Sequence, residues 1–218
     1  VQIWDADNFD SRKPPEKVPS PIYYISLLGL DSVVSELFYE KPSAGLSSRR
    51  VFDLVNAQGG CHGNALQAAS VRGHERTVQL LLEIGADVNA QDNSRFGTAL
   101  QAASARGHET TVQLLLENGA DISAEGSGDH AKNALVAASE GGHEKIVLLL
   151  LEKGADINAQ SNGCCFQSAL QAASAGGHEK TVQLLLEKEA DINMIGLHGR
   201  TALSLAAGKA NVAVVKLL

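Results

Sequence analysis

Four histidines, His74, His108, His143 and His178, stand in the same setting, each between a glycine and a glutamate. Imidazoles in that number invite a zinc or proton-transfer reading. Their spacing argues against it. Each occupies one position of a recurring unit, so stacked units would hold neighbours about 10 Å apart. Zinc needs its ligands at about 2 Å. The expected role is structural, a histidine bracing a turn between two helices through its ring nitrogens.

A second column is chemically richer. The alanines Ala65, Ala99, Ala134, Ala169 and Ala202 mark equivalent points of the unit. Four residues before them stand Cys61, Arg95, His130, Cys165 and His198, with Asp129 and Cys164 alongside. Cysteine and histidine on facing loops can hold zinc. Yet no C-x-x-C or H-x-x-x-H pair occurs, and the candidates come from different units, so neither metal nor cofactor is expected. Asp129-His130 resembles a base with its orienting carboxylate. Adjacent loop residues point apart, and no motif ties a nucleophile to them, so no catalysis is expected.

Binding is the better-supported chemistry. Two positions before each glycine turn the chain reads Leu27, Val71, Ala105, Glu140, Ala175 and Gly208. The next position reads Leu28, Arg72, Arg106, Gly141, Gly176 and Lys209. The neighbouring Ser70, Ser104, Ser139 and Ser174 do not change, so variation gathers where side chains should face a groove. An apolar start, two stacked arginines and a glycine floor suit a ligand with an apolar end and a carboxylate, which arginine grips with two parallel hydrogen bonds. Phe96 and Phe166 would add apolar anchors at loop tips, with Arg95 and His130 beside the same face. The alternative is an ordinary solvated face.

These side chains need a scaffold, and the repeat supplies it. The marker alanines recur every 33 to 35 residues, each preceded by Asn64, Thr98, Asn133, Ser168 or Thr201. All five can cap a helix by accepting from its orphan N–H groups. Gln67, Gln101 and Gln171, three residues on, should complete capping boxes, while Val136 removes one. The first helix ends near Arg72 at Gly73. A second follows His74-Glu75, with Val78, Leu81 and Leu82 on one buried stripe. Gly85 should end it in the left-handed region, which Glu189 would occupy under strain of about 1 kcal/mol. Units of this size cannot bury their apolar face alone and must stack.

Ser20-Pro21-Ile22-Tyr23-Tyr24 opens a divergent unit, with a cap and then proline at the first helical position. The expected organisation is an N-terminal extension over 1–19 and a repeat domain over 20–218. Its divergent unit, 20–53, carries an inserted loop over 39–53. Units follow at about 54–88, 89–122, 123–157 and 158–192, then a truncated one at 193–218. The start on Val1 and the ending on Val214-Val215-Lys216-Leu217-Leu218 suggest a piece of a longer chain.

The 218 residues carry a net charge of −7 and are 4% aromatic. An acidic chain lacks the basic stripe of nucleic-acid or anionic-membrane binders. Three cysteines make no disulfide framework, which fits a reducing, cytoplasmic setting. No apolar run reaches membrane-spanning length.

The recurring cap, A-A, G-H, V, L-L and G-A-D-V-N-A resemble the ankyrin repeat over 20–38 and 54–218. The A-L-Q variant and the opening Trp4-Asp5-Ala6-Asp7 look like the ankyrin arrays of filamentous fungi, which often trail an NTPase module. This chain has no G-x-x-x-x-G-K-[ST] phosphate loop. The resemblance implies an all-α solenoid of about six stacked helix-turn-helix units with hairpin-like finger loops. It further implies a non-catalytic interaction module, a monomer binding a protein partner on its concave face. The alternative is a small-molecule binder or enzyme whose pocket forms where 39–53 folds over Tyr23, Tyr24, Leu27 and Leu28.

Overall fold

The computed structural model describes residues 19–36, 38, 48–91, 96–126, 132–161 and 166–218. Its elements follow the repeat. The helices are α1 (Pro21–Leu27), α2 (Asp31–Ser35), α3 (Ser48–Val55), α4 (Ala65–Arg72), α5 (Glu75–Glu83), α6 (Ala99–Arg106) and α7 (Glu109–Glu117). Then come α8 (Ala134–Glu140), α9 (Glu144–Glu152), α10 (Ala169–Gly176), α11 (Glu179–Glu187), α12 (Ala202–Gly208) and α13 (Val212–Leu217). No strand occurs among the described residues.

Helix starts lie where the capping residues are. Asn64, Thr98, Asn133, Ser168 and Thr201 each accept from the backbone three residues on, and Ser20 does so ahead of Pro21. Two of the three expected capping boxes close, at Asn64–Gln67 and Thr98–Gln101. The third does not. Gln171 turns its carbonyl to the backbone N–H of Gln167 at 3.1 Å, one residue short of the cap. A box that sequence reasoning passed over closes at Thr201–Ser204, where a hydroxyl replaces the amide.

Six helix pairs stack in two rows. The first helices α1, α4, α6, α8, α10 and α12 pack on one another in order, as do the second helices α2, α5, α7, α9, α11 and α13. One apolar core runs through the stack from Ile22 to Val214. Ala68, Ala69, Ala102 and Ala103 are wholly buried, and such small side chains let first helices approach closely. Val78, Leu81, Val112 and Leu115, also fully buried, fill the space between the rows.

One expectation is corrected. The second half of the presumed loop over 39–53 is helical, because Val51 and Val55 share a face of α3 and Val55 is fully buried. Residues 39–47 lie outside the described region. Glu189 does hold a left-handed conformation, φ 66°, where Gly85, Gly119 and Gly154 stand in the other units.

The histidines couple neighbouring units. Nε2 of His74 lies 3.2 Å from the carbonyl of Leu27, that of His108 3.0 Å from Val71, that of His143 3.2 Å from Ala105 and that of His178 2.8 Å from Glu140. A carbonyl only accepts, so Nε2 carries the proton. The expected brace within a turn is therefore a bond to the previous unit. In the last unit Asn211 takes over, donating to Ser174 and Ala175. Gly73 is required twice: its φ is +69°, and any Cβ there would strike the ring of His108.

The finger ends are tied in the same manner. Gln67 donates to the carbonyl of Gly97 at 2.5 Å, Gln101 to Ala124 at 2.7 Å and Gln171 to Met194 at 3.1 Å. Asn56 and Asn89 accept from the backbone N–H of Asp87 and Asp121, one unit on, each at 2.7 Å. The Ser123 hydroxyl and backbone N–H, both donating to Asp121, hold its carboxyl below its usual range.

Candidate functional site

The fixed ladder of glutamines and histidines leaves a variable strip between finger bases and the ends of the first helices. A recess of about 230 Å³ opens there between α6 and α8. Its walls are Phe96, Gln101, Ala105, Arg106, Lys132, Ala137, Glu140 and Gly141. Four predicted residues, Phe96, Ala105, Arg106 and Glu140, therefore come together.

Position explains their meeting. Phe96 lies two residues before the cap of α6, and Arg106 ends that helix, its guanidinium carbon 5.5 Å from the ring centroid. Such a stack is favourable by about 0.5–1 kcal/mol at an exposed site. Lys132 directly precedes the cap of α8, and its ammonium pairs with the carboxylate of Glu140 at the far end of that helix. The same ammonium lies 6.0 Å from the Phe166 ring, joining that residue to the site. Two cations thus sit on two aromatic faces along one strip.

The remaining candidates fall elsewhere. Leu28 is 49% exposed and Arg72 is exposed, both on earlier units and outside the recess walls. Leu27 and Val71 are withdrawn from the surface at 7% and 3% exposure. Leu27 packs with Tyr23 and Ala68, since apolar side chains gain by leaving water, and it offers a partner little side-chain surface. What the Leu27 and Val71 positions contribute is their backbone carbonyls, held by His74 and His108. Arg95 and His130 lie outside the described residues, as do Asp129, Cys164 and Cys165 of the metal column.

Sequence reasoning missed Lys132 and His62. Lys132 meets Glu140 eight residues away along a helix, a distance that no local spacing rule marks. His62 was legible: like Phe96 and Phe166 it stands two residues before a cap, and its ring centroid lies 6.5 Å from that of Phe96. Tyr23, in the alternative pocket, is 2% exposed, and its hydroxyl accepts from the backbone N–H of His62.

Six stacked helix pairs, four of them with a glycine-histidine turn, define an ankyrin-type solenoid. A family model of ankyrin repeats matches residues 65–161 and 160–218, and the chain belongs to that family. Ankyrin repeats generally mediate protein–protein interaction and are typically non-catalytic. The chain is also 50% identical over 81 residues to the azaphilone pigments biosynthesis cluster protein L of Monascus ruber. That match covers 37% of this chain and 16% of the relative's length. Among the described residues no helix is long and apolar enough to cross a membrane.

Proposed function

We propose that the chain is a non-catalytic interaction module that receives a protein partner along the strip of first-helix ends and finger bases. The observation that carries this reading is the recess at the joint of α6 and α8, where Arg106 and Lys132 lie over Phe96 and Phe166. Aromatic and arginine residues dominate protein-binding hot spots. At about 230 Å³ the recess is below the range of about 300–1,000 Å³ that encloses small ligands, and it matches protruding side chains better. Among the described residues, no serine, cysteine or histidine lines it.

The test is quantitative capture of partners by the immobilised chain from lysate of its source. Arg72→Glu with Arg106→Glu should weaken capture by more than about tenfold, as loss of a hot spot does. The unfolding midpoint should stay nearly fixed, because exposed charges contribute little to folding. Glu83→Lys with Glu117→Lys, exposed at the ends of α5 and α7, is the control. If the control pair abolishes capture and the arginine pair does not, the binding face is the opposite one.

A further inference from the structure

We infer that the recess between α6 and α8 seats an acidic side chain, so that the partner presents an aspartate or glutamate from an extended segment. This rests on the strip being the partner-binding face. It adds what that face selects.

Charge is the first ground. The chain carries −7 overall, yet among the described residues the recess sets Arg106 and Lys132 against Glu140 as its one carboxylate. A locally positive hollow on an acidic surface draws carboxylates and repels other copies of this chain. Geometry is the second. The guanidinium of Arg106 lies over the Phe96 ring at 5.5 Å, and no carboxylate among the described residues pairs with it. Its N–H edge stays open to a fork-like bond with a carboxylate, which a planar guanidinium makes bidentately.

The third ground is Glu140 itself. Its carboxylate already lies against Lys132 inside the recess, which establishes that this chemical group fits there. The side chain of Glu140 is 41% exposed and that of Lys132 only 16%. An incoming carboxylate therefore meets Arg106 first and competes with Glu140 for the deeper ammonium. Phe96, Ala105 and Ala137 supply apolar wall for the methylenes of the entering side chain. A lysine or arginine in the same place would face two cations and one already paired acid.

Fluorescence anisotropy with labelled nonapeptide pools tests the assignment. The central residue is Asp, Glu, Asn, Gln or Lys, and the flanks are random mixtures of small and apolar residues. The Asp and Glu pools should bind at least about tenfold more tightly than their amide counterparts, and the margin should shrink with salt. Arg106→Gln should reduce that ratio to near one. Glu140→Gln should raise acidic-pool affinity several-fold by removing the competing carboxylate, an effect that a merely structural ion pair would not give. Equal binding of acidic and amide pools overturns the acidic seat but leaves the groove as partner face. Failure of Glu140→Gln to raise acidic-pool affinity also overturns it, as does absence of binding by every pool. Capture from lysate that is undiminished by Arg72→Glu with Arg106→Glu is the separate result that would remove the groove itself.

Discussion

Nε2 of His108 donates to the carbonyl of Val71, and the ring lies over Gly73, so one residue both bonds and fills the joint between two units. His108→Ala leaves that carbonyl without its partner and should cost about 1–3 kcal/mol in urea unfolding. His108→Asn should retain most of the stability, because Asn211 makes the equivalent bond at the final joint. Equal losses from the two variants would show that packing, not the hydrogen bond, holds the joint. Ser26, Ser70, Ser104, Ser139 and Ser174 present the opposite case. They are fully buried, and their hydroxyls find no hydrogen-bond partner among the described residues. An unpaired buried hydroxyl is a penalty, so Ser104→Ala should stabilise the protein by up to about 1 kcal/mol. A lower unfolding midpoint would mean that this hydroxyl does hold a bond.

Helix starts are over-determined at each unit, and Thr98 with Gln101 gives the clearest instance. The Thr98 hydroxyl accepts from the backbone of Gln101, whose amide oxygen accepts from Thr98 and whose amide nitrogen reaches Ala124. Thr98→Ala should lose about 0.5–2 kcal/mol. The double variant with Gln101→Ala should depart from additivity by about 0.5 kcal/mol or more. A fully additive cycle would exclude the box at this unit. These starts were legible because cap and partner lie three residues apart, within reach of a local pattern. The ties from Gln67 and His74 were not, since they span 30 and 47 residues and end on backbone carbonyls that no residue type marks. Helix α3 went unread for a different reason. Lys41-Pro42-Ser43-Ala44-Gly45 signals a loop, and that signal masked the amphipathic Arg50-Val51-Phe52-Asp53-Leu54-Val55 behind it.

Stacking makes burial depend on having a neighbour on both sides. Leu66, Leu100, Leu135 and Leu170 are at most 3% exposed, whereas Leu203, at the same register in the last described unit, is 46% exposed. Leu115→Ala in the middle of the stack should therefore cost about 2–5 kcal/mol by opening a cavity. Leu218→Ala, at a half-buried end position, should cost much less, with urea midpoints as the measure. Equal losses would contradict a nearest-neighbour solenoid. At this scale the repeat made the architecture readable, because one register recurs in every unit. The strip of variable residues was only half readable. Arg106 and Phe96 were found by their register, but the burial of Leu27 and Val71 and the arrival of Lys132 depend on how neighbouring units close.

The central claim, that partners lie along the first-helix strip, is tested most directly by site-specific photo-cross-linking. p-Benzoylphenylalanine would replace Ala105, half-buried at the recess, or Gln113, exposed on α7. The expected result is a partner adduct from position 105 that disappears when Arg106→Glu is added, with no adduct from position 113. Adducts from position 113 alone would contradict the account.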